Sequence, residues 1–238
     1  MYDLPLPDDK VSYKFICEQL KKIPHLQIPI NIPVDEILAE YKSVKNGFDN
    51  YKNSEPLYRH WEKIWSAVVL YGVVGSHEMG GTYIRNDQTN FEMTKYGMKC
   101  PFVSQTVKEI VGQLVSRVRI NNIRGKAQLG YHNHVDVDQP IEILTVQIPI
   151  VNTEQMEYPV TKKENVKDIF SVFNSVENYR KFYKPGEAWI LNSWHSHNAR
   201  NLGDDDKISI MVYGYLRDPH FYGLVKSLVK NYNEKLIS

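Results

Sequence analysis

His134, Val135 and Asp136 place a histidine and a carboxylate one spacer apart, and about sixty positions downstream the segment from Asn192 to Asn201 carries two more histidines, His195 and His197. Two imidazoles and one carboxylate on one face of a metal form the facial triad that holds a ferrous ion and leaves the opposite positions open to a keto acid and dioxygen. The spacing suits a strand, because side chains two apart project to the same face, about 6–7 Å apart along the chain. His132 and Asp138 keep the same parity, so residues 131–138 offer four candidate ligands to one face if they are extended. His134 with Asp136 is preferred for its His-x-Asp spacing, and His132 is held in reserve.

Such a triplet also arises by chance, and the downstream context is what gives it weight. Lys184-Pro185-Gly186 reads as a turn, residues 187–191 as a short apolar strand, and Asn192 opens the segment bearing the histidines. Residues 201–206 are a turn by composition. The next run, 207–215, is an apolar strand opened by one cation, Lys207, ten positions after His197. A cation there can pair with a carboxylate at the inner end of a pocket. Lys207 is therefore the expected anion anchor, with Arg200 in reserve.

These residues resemble a 2-oxoglutarate and Fe(II)-dependent dioxygenase of the aspartyl/asparaginyl β-hydroxylase-like group, which includes bacterial proline hydroxylases. The likeness extends over Cys100-Pro101-Phe102 and the helix after it, 117–125, 146–152 and His197 through Lys207. It implies His134, Asp136 and His197 as metal ligands and Lys207 as the partner of the far carboxylate of 2-oxoglutarate. Gln147 falls where some relatives place a polar cosubstrate contact. It further implies Fe(II) and 2-oxoglutarate, with ascorbate as an optional reductant, and dioxygen and an amino acid or peptide side chain as reactants. The presence of Asp136 resembles the proline-hydroxylase branch and favours hydroxylation over halogenation. The anchor is usually arginine, and Lys207 substitutes a point charge for a two-pronged fork. Two other classes remain open: a cupin-type hydrolase or isomerase using the same ligands without a keto acid, and a jelly-roll binding module with no catalysis.

The chain has 238 residues, 42% of them hydrophobic, enough for one packed oxygenase domain with appendages. With 29 basic and 28 acidic residues, its charge marks neither a nucleic-acid footprint nor an acidic tail. The start carries no signal-like pattern, and the longest apolar run, 65–75, is too short to span a bilayer. Cys17 and Cys100 are too few for a disulfide framework and lack zinc-ligand spacing, so both read as reduced core thiols and the expected location is cytoplasmic.

The elements that must position the site divide into a helical and irregular support region, 1–115, a strand-rich region, 116–217, and a terminal helix, 218–238. Residues 8–20 and 34–41 have helical spacing, 26–33 alternates like an edge strand or extended connector, and 65–72 is a buried strand candidate. Ser104 is expected to cap a helix bearing Val107, Ile110, Val111 and Leu114. Strands are expected at 117–123, 127–134, 143–151, 170–173, 187–191 and 207–216, which implies a jelly-roll, the double-stranded β-helix. Asp218-Pro219 begins an amphipathic helix with Phe221, Leu224, Val225, Leu228, Val229 and Tyr232 on its apolar stripe. His195 reads as a supporting or surface residue, His25, His60, His77 and His220 as structural, and Trp189 and Trp194 as packing. Gly80-Gly81 reads equally as a lid or an exposed turn. Arg117 and Arg119 share a strand face and read first as wall salt bridges, second as holders of an anionic substrate.

Overall fold

The alternation of apolar and polar residues along the longest strands sets the layers. In a computed structural model describing residues 10–50, 61–73, 91–112, 117–132, 143–161 and 178–237, Ile208, Ile210 and Val212 enter one core, while Lys207, Ser209 and Met211 point to the opposite face of the same strand. The strands in chain order are β1 (His25–Ile28), β2 (Asp49–Asn50), β3 (Trp65–Val73), β4 (Phe91–Met93), β5 (Val118–Ile123) and β6 (Ile143–Val151). They continue with β7 (Met156–Glu157), β8 (Val160–Thr161), β9 (Asn178–Tyr179), β10 (Ala188–Leu191), β11 (Ser196–His197), β12 (Arg200–Asn201) and β13 (Lys207–Tyr215). Eight form one antiparallel sheet in the order β1-β10-β6-β13-β5-β3-β2, with β4 on β3. Two smaller sheets, β11-β8-β9 and β12-β7, supply the opposing layer.

Helices α1 (Lys10–Leu20), α2 (Val34–Val44), α4 (Pro101–Val111) and α5 (Pro219–Ile237) cover one face of the large sheet, and the short α3 (Trp61–Ile64) leads into β3. Burial of Leu20, Ile37, Ile110, Phe221 and Val225 against Val146, Ile148 and Ile210 fixes that side. Such residues are worth about 1.5–3 kcal/mol each when fully buried. The other face meets the small sheets through a second cluster in which Trp65, Ile123 and Leu191 of the large sheet pack with Met156, Tyr158 and Val160. This architecture is an antiparallel sheet with flanking helices, consistent with the expected jelly-roll.

The terminal helix follows its stripe. Phe221, Val225, Leu228 and Val229 are buried, and the carboxylate of Asp218 accepts the amide of Phe221 at 3.0 Å, capping the first turn. β1 is an edge strand paired to β10, as the proline-bounded alternation implied. The support region contributes more than helices, because β1 through β4 all join the large sheet.

Ser104 is not a cap. It sits inside α4, which starts at Pro101, and the buried carboxylate of Glu40 on α2 accepts the amides of Phe102 (2.7 Å) and Val103 (3.0 Å). Proline at the first helical position removes one donor, and a carboxylate from another element satisfies the next two, an arrangement with no local sequence pattern. The expected strand over 127–134 is represented among the described residues by single bridges at Gln128 and His132, separated by Gly130 at φ 85°. Strands at 170–173, the Gly80-Gly81 pair, Leu114, His60 and His77 lie outside the described residues. Replacing Glu40 by alanine leaves the buried amide of Val103 and the part-buried amide of Phe102 without this acceptor, and is expected to cost about 1–3 kcal/mol in urea unfolding. The exposed Glu36→Ala on the same helix is expected to stay within about 0.5 kcal/mol.

Candidate active site

His132 and His197 sit directly opposite each other as a hydrogen-bonded antiparallel pair: the His132 amide donates to the His197 carbonyl at 2.9 Å and the His197 amide to the His132 carbonyl at 2.8 Å. Residues exchanging both backbone bonds present their side chains to the same face. The two rings are accordingly 4.5 Å apart between centroids and line one cavity. Each ring is further oriented through Nδ1, His132 toward the carbonyl of Gly130 (3.0 Å) and His197 toward the carbonyl of His195 (2.9 Å). A carbonyl only accepts, so both Nδ1 atoms carry the proton and both Nε2 atoms carry the lone pair in the neutral rings.

The electrostatics favour those neutral rings. Burial holds His132 down at about 4, with the charge of Arg119 acting in the same direction. Burial, then the neighbouring His132, pushes His197 well below its ordinary value. Neutral, buried imidazoles with Nδ1 tied to backbone carbonyls are the form in which histidine ligates a metal. The donor set fits a borderline ion such as Fe(II). His134 and Asp136 lie outside the described residues.

Two residues that carry no motif hold this pair in register. Asn198 is fully buried, and its Oδ1 accepts the amides of Gly130 (2.8 Å) and Ala199 (2.7 Å), tying the segment that carries His132 to the one that carries His197. Gly130 itself adopts the left-handed φ that turns its carbonyl toward His132. His195 supports its neighbour through that carbonyl and lies against Trp194, in line with a supporting role.

The large sheet supplies the rest of the cavity: Trp65, Arg119, Asn121, Thr145, Gln147 and Ser209 line it, and Tyr158 closes it from the small-sheet side. Gln147 accepts a long bond from Ser209 at 3.5 Å. Lys207 shares the strand face of Ser209 and is 1% exposed; its ammonium hydrogen-bonds the Tyr158 hydroxyl and stands 4.4 Å from that ring's centroid. Burial drives its pKa well down, and no carboxylate partner is found among the described residues. Arg200 is committed elsewhere, to the buried carboxylate of Glu157 at 2.9 Å. Arg119, read first as a wall salt bridge, faces the cavity with its guanidinium 4.8 Å over the Trp65 ring. His25 bonds the Tyr183 hydroxyl at 2.7 Å and His220 the carbonyl of Glu109 at 2.8 Å, both structural as expected. Trp189 packs on Tyr183. Both cysteines are free thiols.

No protein-family model matches the chain, and no curated protein matches it in sequence. Solved structures do match in fold. The non-haem α-ketoglutarate-dependent carbocyclase SnoK of nogalamycin biosynthesis aligns with a TM-score of 0.52 at 14% identity, over 88% of this chain and 90% of that one. HygX from Streptomyces hygroscopicus, solved with nickel, 2-oxoglutarate and hygromycin B, aligns with a TM-score of 0.50 at 11% identity over 88% of each chain. The α-ketoglutarate-dependent epimerase SnoN gives 0.50 at 11% identity, over 86% and 81%. The chain shares the fold of these three proteins. No helix among the described residues is long and apolar enough to cross a membrane.

Asn198→Ala removes the acceptor of two buried amides at the histidine pair. It is expected to lower unfolding free energy by about 1–3 kcal/mol, read by urea titration.

Proposed function

We propose that the protein is an Fe(II)- and 2-oxoglutarate-dependent dioxygenase that hydroxylates an amino acid or peptidyl side chain, releasing succinate and carbon dioxide. The observation that carries this reading is the His132–His197 pair, whose Nδ1 atoms are tied to carbonyls, in a cavity whose wall continues through Tyr158 to the buried ammonium of Lys207. SnoK, HygX and SnoN support it by their shared fold, HygX with nickel and 2-oxoglutarate bound.

Iron is held by His197, by the carboxylate of Asp136 and by an imidazole from the pair His132 and His134. The sequence spacing favours His134, and the register opposite His197 supports His132. When bound, iron supplies dioxygen activation coupled to oxidative breakdown of the keto acid. The chain does the remaining work. Lys207 neutralises the far carboxylate of 2-oxoglutarate, which supplies the counter-charge that a buried ammonium needs. Tyr158 fixes the direction of that ammonium, and Gln147 and Ser209 give neutral polar contacts on the adjoining strands. Leu129, Leu191 and Met211 make the apolar part of the wall and limit water at the reacting carbon.

The protein is expected to bind one Fe(II) or Ni(II) ion in anaerobic titration. His197→Ala, and His132→Ala if it is the proximal ligand, each leave two protein donors and abolish tight binding. Loss on His134→Ala with retention on His132→Ala assigns the proximal position to His134 instead. Retention of full affinity in His197→Ala removes the metal site from this cavity.

Lys207→Met is expected to weaken 2-oxoglutarate binding to the Fe(II) form by roughly ten- to a hundredfold, the equivalent of about 1.5–3 kcal/mol for a charge-assisted bond, while metal affinity persists. Arg200→Met leaves keto-acid affinity unchanged and lowers stability, because it strips the nearer of two cations, Arg200 at 2.9 Å and Arg180 at 3.6 Å, from the buried carboxylate of Glu157. An unchanged keto-acid affinity in Lys207→Met contradicts the anchor and favours metal chemistry without a keto acid.

A further inference from the structure

Arg119 lines the cavity and Lys207 bonds Tyr158 of its wall, and the sheet register keeps these two cations apart. Across the β13–β5 pairing Lys207 stands opposite Ile123, whereas Arg119 stands opposite Met211, four residues further along the strand. Four residues of strand span about 13 Å. The Arg119 guanidinium does not lean back toward Lys207, since its Nη2 lies 3.5 Å from the hydroxyl of Tyr213 and 3.8 Å from the sulfur of Met211, at its own end of the cavity. It nevertheless lines the same cavity as His132 and His197. A ligand held by Arg119 is thus presented to the histidine pair from a different direction than one held by Lys207.

The guanidinium is also held in place. It is almost wholly buried with its carbon 4.8 Å from the centroid of the Trp65 ring, and that indole is itself fixed by a bond to Asn121 Oδ1 at 3.2 Å. The N–H groups of a guanidinium lie in one plane, which matches the two coplanar oxygens of a carboxylate. Around it, Asn121, Thr145 and Gln147 offer neutral donors and acceptors for an amino or hydroxyl group on the same molecule.

We propose that Arg119 binds the substrate, and that the substrate is a small molecule with a free carboxylate, such as a free amino or hydroxy acid, rather than a residue inside a peptide. This rests on the dioxygenase reading, in which the Lys207 end is taken by the keto acid.

The test is a panel of free L-amino acids and short hydroxy acids, each paired with its carboxamide, together with glycerol phosphate. Binding is followed by tryptophan fluorescence, with Trp65 beneath Arg119 as reporter, on metal-free protein and again with Fe(II) and 2-oxoglutarate under anaerobic conditions. Succinate formation is read in air. The expected result is that binding and turnover are confined to free acids, and that each carboxamide is weaker by roughly tenfold or more. Arg119→Gln raises the substrate Kd by roughly ten- to a hundredfold and leaves the 2-oxoglutarate Kd within about twofold.

No acid binding more tightly than its carboxamide overturns the proposal, and this comparison in the unaltered protein does not depend on any variant folding. Glycerol phosphate as the tightest ligand overturns the carboxylate assignment. Loss of 2-oxoglutarate affinity in Arg119→Gln moves Arg119 to the cosubstrate and also overturns it. Absence of 2-oxoglutarate binding in the unaltered Fe(II) protein is instead a failure of the dioxygenase reading, and the metal-free titration still decides what Arg119 holds.

Discussion

The site depends on one backbone contact, the pair of reciprocal hydrogen bonds between His132 and His197. Because exchange of both amide bonds forces two residues to share a face, this pairing alone converts histidines 65 positions apart into neighbouring donors. A slip of one residue in either segment would turn one imidazole out of the cavity. Asn198 guards the register by accepting the Gly130 amide, so the side chain of one segment fixes the backbone of the other. Carbonyls of Gly130 and His195 then choose the tautomer. Pairing and tautomer are set by main-chain groups, which cost little conformational entropy once the sheets form, and the pinning by one buried side chain.

The large sheet serves as a two-sided board. Its helix-facing residues are aliphatic and provide the stability that lets the other face be polar. On that second face Arg119, Asn121, Thr145, Gln147, Ser209 and Lys207 occupy alternate positions of three adjacent strands. Polar groups are costly to bury, and a sheet face that gathers several of them around one cavity fits a binding site. The aromatic rings of Trp65 and Tyr158 lie against the two cations. This replaces part of their lost hydration and keeps them oriented.

Much of this was legible in the residues. Period-two alternation exposes β5, β6 and β13, and the stripe from Phe221 to Tyr232 exposes α5, because burial on one face leaves a pattern in one segment. Lys207 stood out as one cation opening an apolar strand, while His197 was singled out by the family resemblance. What stayed hidden involves partners distant in sequence. The α4 cap was assigned to Ser104 by local pattern, but its acceptor is Glu40, more than sixty positions away. The roles of Asn198 and Gly130 depend on which segments lie side by side, and a lone asparagine near a histidine does not announce a register pin. Spacing gives His132 and His134 the same parity; His132 stands opposite His197, and His134 lies outside the described residues. Arg119 gave a partial signal by its parity on β5, yet whether it faces a neighbour or a cavity is a tertiary matter.

The most direct measurement is a crystal structure of the protein loaded anaerobically with Fe(II) and 2-oxoglutarate. The account expects the metal on Nε2 of His197 and on an imidazole of His132 or His134, with the far carboxylate of the keto acid against Lys207 and Tyr158 and the space beside Arg119 left for substrate. A metal bound away from His197, or a keto acid whose far carboxylate lies on Arg119 instead of Lys207, would contradict it.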